Sequence, residues 1–434
     1  MALSIPMPTP RALIVLLLVL PLAVTAACRR SRSARPVAES TSPSPDGQPT
    51  QPPPVAAPPL LVEHFDGAGA LQAWQEVDGR VDGSGTGNGA TSTITLVDGA
   101  VRLEGAAETN RWRSLERTVA LGGATWFRMA ARMKTDGLVP DGVHRPMCYL
   151  YARFTDAGGQ RVGEVVATRN LLGTTPWTPV ARRYPVPAGA AHLTVGLFLS
   201  LPGRAWFDDV EVAVAAAPAW HEATEGHYRY HWLDGDEIPD HKRRFNSESY
   251  RLTAEFLGLD PATGPEVGYF KYPDRAIKEE LMGDPGNAFA LTDGTMHTIF
   301  ASDRHEIVHL LARAWGDPPA LVAEGLAVHM SGGWQGQSVV AYAKAIPDRD
   351  WIALGDLIDS AAFRARPDLV TYAIAAAFIE WTLAQPDGKT RLRALYGKLA
   401  NRAPAADNRR ALEDILGAKV EDLDSQLRAW LRAR

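Results

Sequence analysis

The chain has 434 residues, a net charge of −5, 46% hydrophobic residues and 22% charged residues. This length exceeds one comfortable hydrophobic core, so two or three domains are expected. The acidic balance and the absence of a long Lys/Arg stripe argue against a nucleic-acid partner. The two cysteines, Cys28 and Cys148, lie in regions of different character and indicate no disulfide framework.

The first 28 residues have the layout of a secretory signal. A basic residue precedes the apolar run 12–24, and small residues follow it up to Cys28. Pro21 interrupts the run, which is too short for a spanning helix of about 20 residues. A cleavage site next to a cysteine resembles a bacterial lipoprotein signal. The resemblance implies a lipidated Cys28 and a membrane anchor on the extracytoplasmic side of the bacterial cell envelope. The alternative is an ordinary signal cleaved nearby and a secreted protein.

Residues 29–60 are rich in Pro, Ser, Ala and Thr and contain almost no large apolar side chain. Such a segment cannot bury enough apolar surface to fold, and its prolines favour extended backbone. We therefore predict a disordered linker that separates the folded domains from the membrane.

Residues 61–216 change to short β-prone runs separated by Gly, Asp, Asn and Pro, which predicts an antiparallel β-sandwich or jelly roll. Within one such run, Cys148 is interpreted as a small, buried, unreactive residue. Examples of these predicted strands are residues 90–96, 100–103, 126–133, 147–154, 161–168, 193–200 and 205–214.

The order of these runs and the closing segment 205–212 resemble the galactose-binding-like jelly rolls found as carbohydrate-binding modules. The resemblance implies a glycan contact and a structural Ca²⁺ near Asp208, Asp209 or Glu211. Aromatic faces suit the apolar faces of sugars, although packing in the core or at its rim explains the same residues. The candidates are Trp74, Trp112, Trp126, Trp177 and Trp206.

Residues 217–434 are predicted to be helix-rich and contain the sequence His305-Glu306-Ile307-Val308-His309. Residues four apart share one face of a helix, so both imidazoles can reach one metal ion. Glu306, one position on, leans over the same site. The spacing predicts a catalytic metal centre. The alternative is a hydrogen-bonded His pair on a buried helix.

The flanking sequence supports two packed helices. Ser302 or Asp303 can cap the first helix, which is expected to end at Gly316. The Asp317-Pro318-Pro319 turn then starts a second helix over Ala320–Met330, which presents Glu324 as a third ligand. Two imidazoles and one carboxylate suit a catalytic Zn²⁺ site with an open position.

This pattern, with Pro318-Pro319 and Glu324-Gly325-Leu326-Ala327 after it, resembles the gluzincin metallopeptidases with a thermolysin-like fold. The resemblance implies a mostly α, zincin-like α+β domain, a polypeptide substrate, and Glu324 as the third zinc ligand. A tyrosine after the site stabilises the oxyanion in that group, and Tyr372 is the candidate here, although a core tyrosine explains it as well. Residues 295–301 are expected to form the edge strand against which a peptide lies.

Other assignments are disfavoured. A metzincin needs Gly and His at positions 312 and 315, where this chain has Ala312 and Trp315. Asp317 lies in a turn, where capping is the simpler role. His329 is about 140° around the helix from Glu324 and should face elsewhere. Two further histidines are interpreted as surface or packed residues, namely His227 and His297.

The combined prediction is a multidomain protein in which a β-sandwich precedes a metallopeptidase domain. Its predicted function is a zinc-dependent peptidase that hydrolyses peptide bonds with a zinc-bound water activated by Glu306. An endopeptidase is favoured, because no Gly-x-Met-Glu-Asn motif is present. The alternative is a glycan- or envelope-binding lipoprotein whose peptidase-like domain is a non-catalytic scaffold.

Overall fold

The computed structural model describes residues 58–67, 69–80, 94–105, 111–139, 147–200, 202–333 and 337–434. Contacts divide these residues into two compact units. The sandwich unit comprises residues 58–218 and 279–285, and the helical unit comprises residues 219–278 and 286–434. The predicted signal with Cys28, and nearly all of the predicted linker, lie outside the described residues. No helix of the described segments is both long and apolar enough to span a bilayer.

The sandwich unit consists of antiparallel strands in two sheets. One sheet has the order β3-β4-β11-β6-β9 with β1 beside β11, and the other has the order β2-β5-β10-β7-β8. The strands are β1 (Leu61–Glu63), β2 (Gln75–Arg80), β3 (Ile94–Val97), β4 (Ala100–Gly105), β5 (Arg111–Ala120), β6 (Trp126–Leu138), β7 (Met147–Thr155), β8 (Arg161–Ala167), β9 (Gly173–Pro185), β10 (His192–Ser200) and β11 (Gly203–Val214).

Alternate residues of these strands form one apolar core. Leu150, Leu197 and Phe207 are fully buried in it, together with Cys148, whose thiol pKa is raised by burial. The interpretation of Cys148 as a small, buried residue is therefore confirmed.

The predicted β-sandwich followed by a helical region is confirmed at this level. The strands predicted from residue 100 onward match observed strands to within a few residues, and the described part of the first, residues 94–96, lies in β3. The segments named from the sequence do not include β1, β2, β5 or β9. Arg111–Ala120 carries four Arg and Glu side chains, and Gly173–Pro185 contains two internal prolines, so neither has the apolar alternation of a strand.

The helical unit contains a five-stranded sheet of order β12-β13-β14-β16-β15. The strands are β12 (His221–Glu225), β13 (Tyr228–Trp232), β14 (Val267–Lys271), β15 (Ala288–Ala290) and β16 (Thr295–Thr298). The helices are α1 (Asp240–Leu257), α2 (Arg275–Met282), α3 (Arg304–Ala312), α4 (Ala320–Met330), α5 (Val339–Lys344), α6 (Leu354–Leu357), α7 (Ser360–Arg364), α8 (Asp368–Leu383), α9 (Gly388–Lys398), α10 (Ala405–Leu416) and α11 (Val420–Arg432). The last four residues of α2 belong to the sandwich unit.

The position predicted for the edge strand is wrong. Thr295–Thr298 lies inside the sheet, between the parallel strand β14 and the antiparallel strand β15. The Asp293-Gly294 turn closes a hairpin, so a partner strand precedes it, and Ala288–Ala290 takes the edge. Three residues are too few to show a strand period in the sequence.

Candidate metal centre

The N-terminus of α3 is held by a buried capping residue. Asp303 Oδ1 accepts a hydrogen bond from the Glu306 N–H at 3.3 Å, which confirms Asp303 as the cap. Asp303 Oδ2 accepts from Thr298 Oγ1 at 2.9 Å, and the Asp303 N–H donates to Asn246 Oδ1 at 3.3 Å. The strand β16 and the helix α1 therefore both fix the turn that carries His305 and Glu306.

The helical spacing brings the two imidazoles together. His305 and His309 have ring centroids 4.8 Å apart, and their Nε2 atoms are 3.1 Å apart. Both side chains are about one-fifth exposed. Neither imidazole is sealed in the core, so the site remains open to solvent or substrate.

The second predicted helix is confirmed over Ala320–Met330. Glu324 Oε2 lies 3.1 Å from His305 Nε2 and 3.2 Å from His309 Nε2. Gly325 makes this approach possible, because a Cβ there would lie 2.5 Å from the Ala375 carbonyl oxygen of α8. The helix α4 can therefore pack backbone-close against α8 while Glu324 points at the histidines.

The turn before α4 also depends on a glycine. The first helix ends at Ala312, and residues 313–315 form turns before Gly316. Gly316 has φ 147° and lies against the Tyr396 carbonyl, where a Cβ would clash. The predicted end of the first helix was therefore late by one turn, although the break at Gly316 is present.

The three ligand atoms fit a zinc ion. Bond lengths of about 2.0–2.1 Å place tetrahedral ligands about 3.3 Å from one another. The observed separations of 3.1, 3.1 and 3.2 Å form a nearly equilateral triangle close to that size. Among the described residues this is the one group of three His, Cys, Asp or Glu side chains with metal-binding geometry. The donor chemistry, with two imidazoles and one carboxylate, suits Zn²⁺.

The charge state of Glu324 suits a ligand. Burial opposes its ionisation, but the charges of His309 and His305 and their hydrogen bonds lower the pKa of Glu324 well below its usual value. The carboxylate is therefore ionised at neutral pH and available to bind a cation.

Glu306 is in a different environment on the same helix. Its side chain is 7% exposed, and no hydrogen bond to it comes from the described residues. Burial, and next the charge of Asp303, raise the pKa of Glu306 to about 8 in the metal-free protein. A bound divalent cation would lower that pKa. The group is thus a carboxylate whose proton affinity depends on occupancy of the adjacent site.

Tyr372 lies beside the centre on α8. Its ring centroid is 6.3 Å from that of His305, and its side chain is half-buried. Burial, and then the charge of Glu324, raise the pKa of the phenol, which remains protonated at neutral pH. The structure thus brings His305, His309, Glu324, Glu306 and Tyr372 together, and the catalytic role of Tyr372 stays a prediction.

Three other histidines have separate partners, as interpreted from the sequence. His297 is 5% exposed, contacts Tyr272 OH at 2.8 Å, and has its pKa lowered to about 3, chiefly by burial. His329 lies 3.8 Å from Glu380, and His227 contacts the Pro261 carbonyl. None of the three belongs to the candidate centre.

The predicted calcium residues Asp208, Asp209 and Glu211 each form an ion pair with an arginine, which is Arg132 for the two aspartates and Arg128 for Glu211. Asp208 and Asp209 accept hydrogen bonds from Arg132 at 2.5 and 2.6 Å, and Asp209 also contacts His64 at 2.8 Å. The expectation of Ca²⁺ stays a prediction, because these contacts do not test binding of the ion.

Sequence reasoning missed the strand next to the centre. β15 packs beside α3, and the Arg313 guanidinium donates to the carbonyls of Ala290 and Leu291. The Asn287 carbonyl accepts from the Ile299 N–H, and the Leu291 N–H donates to the Thr295 carbonyl. In an antiparallel pair, alternate residues make the hydrogen bonds between the strands. The N–H and C=O groups of Ala288 therefore point away from β16. The Asp293-Gly294 turn was the available sequence signal for this strand.

Neither a family model nor a curated protein matches this chain. Solved structures are similar to parts of it. The modules of the Clostridium thermocellum endo-1,4-β-D-xylanase 10B, complexed with xylohexaose, are 14% identical over 49% of this chain and 38% of that chain, with a TM-score of 0.26. The CBM22-1 xylan-binding domain from Paenibacillus barcinonensis is 15% identical over 37% of this chain and 98% of that chain, with a TM-score of 0.25.

A further similar structure is the enzymatically active domain of tailspike protein 4 from bacteriophage CBA120. It is 15% identical over 33% of this chain, with a TM-score of 0.26, and this chain spans 20% of its length. The β-sandwich is assigned from the sheet order and the strand registers of this protein. Its function is argued from the side chains of its own sites.

Proposed function

We propose that this protein is a zinc-dependent peptidase whose centre is built by His305, His309 and Glu324. The observation that carries the proposal is the triangle of ligand atoms, with sides of 3.1, 3.1 and 3.2 Å, beside the buried carboxylate of Glu306. When bound, a zinc ion polarises a carbonyl group and lowers the pKa of a water molecule to about 7.

The residues around the triangle supply the other parts that peptide hydrolysis needs. In this proposal the Glu306 carboxylate accepts a proton and passes it to the leaving amine. The protonated phenol of Tyr372 can donate a hydrogen bond to the oxygen that becomes negative in the transition state. The outward backbone of Ala288 offers a donor and an acceptor to an extended polypeptide, which favours peptide substrates.

The substitution Glu306→Gln tests the catalytic role. It preserves size and removes the proton acceptor, so we expect zinc content equal to the wild type and peptide cleavage reduced by at least about a hundredfold. Zinc is measured by mass spectrometry of the dialysed protein, and cleavage by digestion of a peptide library. Glu255→Gln, at a half-exposed carboxylate of α1, is the matched control. Full activity in the Glu306→Gln protein, or no zinc in the wild type, would refute the proposal.

We also propose glycan binding by the sandwich unit as a second candidate function. In the sandwich sheet β2-β5-β10-β7-β8, the face turned away from the core carries a cluster of aromatic rings. Phe198 stacks on Tyr149 with centroids 4.9 Å apart and on Trp112 with centroids 5.6 Å apart. The Glu116 carboxylate accepts hydrogen bonds from Tyr151 and Arg153 on the same face.

Stacked rings beside a carboxylate and a guanidinium match the apolar faces and hydroxyl groups of a sugar. Phe198 and Trp112 are half-buried, and the Arg153 side chain is 44% exposed, so part of this face is reachable. By contrast, Trp74 is buried and donates to Glu63, whereas Trp177 and Trp206 lie on the other sheet under cationic side chains. Trp112 is thus better placed for a sugar on this face than Trp74, Trp177 or Trp206.

The second candidate is tested with the full mature chain on a panel of soluble oligosaccharides that includes xylohexaose. We expect Phe198→Ala to abolish binding and Trp177→Ala, on the other sheet, to preserve it. Equal binding by both variants would contradict the assignment of this face. Binding that survives in the Glu306→Gln protein would show that it is independent of peptide hydrolysis.

We further propose that the chain is a lipoprotein of the bacterial cell envelope, anchored through Cys28. The support is the sequence pattern of residues 1–28. Radiolabelled palmitate should be incorporated by the wild type in bacterial cells and not by Cys28→Ser. Label in both proteins, or in neither, would contradict the anchor.

A further inference from the structure

The face of α8 that meets α4 continues past the candidate metal centre. Ala375 and Ile379 contact Gly325, and Tyr372 places its ring 6.3 Å from that of His305. Positions 368, 372, 375 and 379 are spaced by four, three and four residues, and such positions share one face of a helix. Asp368 therefore lies one turn before Tyr372, on the face of α8 that meets α4.

Asp368 lacks a compensating charge in the part of the chain that the structure describes. Its side chain is half-buried, and none of the described residues forms an ion pair or hydrogen bond with its carboxylate. Burial and then the charge of Glu324 raise the pKa of Asp368. The positive charge of Arg364 lowers the pKa of Tyr372. The charged group that affects the pKa of Asp368 is Glu324.

We infer that Asp368 is a specificity-determining residue that selects peptides with a positive charge next to the scissile bond. The inference rests on the proposed peptidase function. A partly desolvated carboxylate gains a strong hydrogen bond when a cation replaces its water, and neutral or acidic substrate groups at the same place gain nothing. The positive charge is a Lys or Arg side chain or a free amino terminus.

A purely structural role for Asp368 makes a different prediction. Asp368 is in the first turn of α8 and follows Pro367, where a negative charge stabilises the helix N-terminus. Asp240 has the same setting in α1, because it is in the first turn and follows Pro239. Asp240→Asn is therefore a matched control for loss of an acidic group at a helix start.

The test compares peptides that carry one arginine or its neutral isostere citrulline at successive positions. Each peptide is prepared with a blocked and with a free amino terminus, which separates side-chain recognition from recognition of the terminal amine. We expect the zinc-loaded wild type to cleave the best arginine peptide with a kcat/KM about tenfold above that of its citrulline partner. In Asp368→Asn the ratio should fall to about one, because cleavage of the arginine peptide loses its advantage. Asp240→Asn should retain the preference.

Binding supplies a readout that does not depend on turnover. In the zinc-loaded Glu306→Gln protein, calorimetry should show tighter binding of the arginine peptide, a difference that added Asp368→Asn removes and that high salt reduces. An unchanged arginine-to-citrulline ratio in Asp368→Asn, in cleavage or in binding, would overturn the inference. Failure of the zinc-loaded wild type to cleave any peptide would instead overturn the peptidase proposal, and the binding comparison would still decide the role of Asp368.

Discussion

The substitution Gly325→Ala separates the packing of α4 from the chemistry of its neighbour Glu324. A Cβ at position 325 would lie 2.5 Å from the Ala375 carbonyl oxygen, 2.8 Å from the Ala375 carbonyl carbon and 2.8 Å from Ile379 Cγ1. Two of these atoms belong to the backbone of α8 and cannot rotate away. The helix α4 must therefore shift, and Glu324 moves with it.

The size of the effect follows from these distances. Ordinary contact needs a shift of about 1 Å, which would change the two Glu324 separations of 3.1 and 3.2 Å by up to about that amount. A change of this size takes the ligand atoms away from the tetrahedral spacing of about 3.3 Å. Overpacking should destabilise the fold by about 1–3 kcal/mol, partly offset by about 1 kcal/mol from the higher helix propensity of alanine. Zinc affinity should fall by about 10- to 100-fold, as when supporting groups of a metal site are displaced.

The assay is competition for zinc against a chromophoric chelator, with thermal unfolding of the metal-free protein measured alongside. Gly355→Ala is the matched control, since a Cβ there would meet Val420 Cγ1 at 3.5 Å, which is ordinary contact. We expect the control to keep the wild-type zinc affinity and to be equally or more stable. Wild-type affinity in Gly325→Ala would show that the position of α4 does not set the metal site.

Three further predictions concern single side chains. Because the pKa of Glu306 rises from an ordinary 4.5 to about 8 on folding, the metal-free protein should lose stability as pH increases from about 4.5 to about 8, and Glu306→Gln should lack this component in thermal unfolding curves. Arg304 donates to Ser249 Oγ at 3.1 Å and to the Met330 carbonyl at 3.3 Å, so Arg304→Gln should loosen α3 from the end of α4 and weaken zinc binding about tenfold by chelator competition, whereas Arg243→Gln, which loses a bond to a carbonyl elsewhere, should not. Burial of the Cys148 thiol predicts alkylation only after unfolding, and peptide mapping that finds rapid labelling of the native protein would contradict its buried position.

Short-range rules predicted the parts of the site that depend on one helix. Four-residue spacing places His305 and His309 on one face, and the capping preference of Asp303 starts that helix. The turn at Gly316 and the helix Ala320–Met330 follow from Gly and Pro chemistry. These elements are local, so the sequence signal for each lies within a few residues of it.

The parts that were missed depend on contacts between distant segments. β5 contains Arg and Glu, and β9 contains Pro, so neither has a typical strand sequence. Each is held as a strand by pairing with a distant segment, β10 for β5 and β6 for β9, and no local pattern shows that pairing. The edge strand β15 is three residues long and is defined by its pairing with β16. The aromatic face of the sandwich joins Trp112, Tyr149 and Phe198 from three strands, so its residues are neighbours only after register is set.

The two proposed functions occupy different units and are compatible with each other. The peptidase proposal depends on Glu306 and the ligand triangle in the helical unit, and the glycan proposal depends on Phe198 in the sandwich unit. We expect Glu306→Gln to lose peptidase activity and keep sugar binding. We expect Phe198→Ala to lose sugar binding and keep peptidase activity. With both results, the role of the sandwich would be to bring the centre to glycan-bearing surfaces. If Phe198→Ala slowed cleavage of glycosylated substrates alone, the two sites would act on one substrate. Because each variant leaves the residues of the other site unchanged, the double variant should show the sum of the two losses.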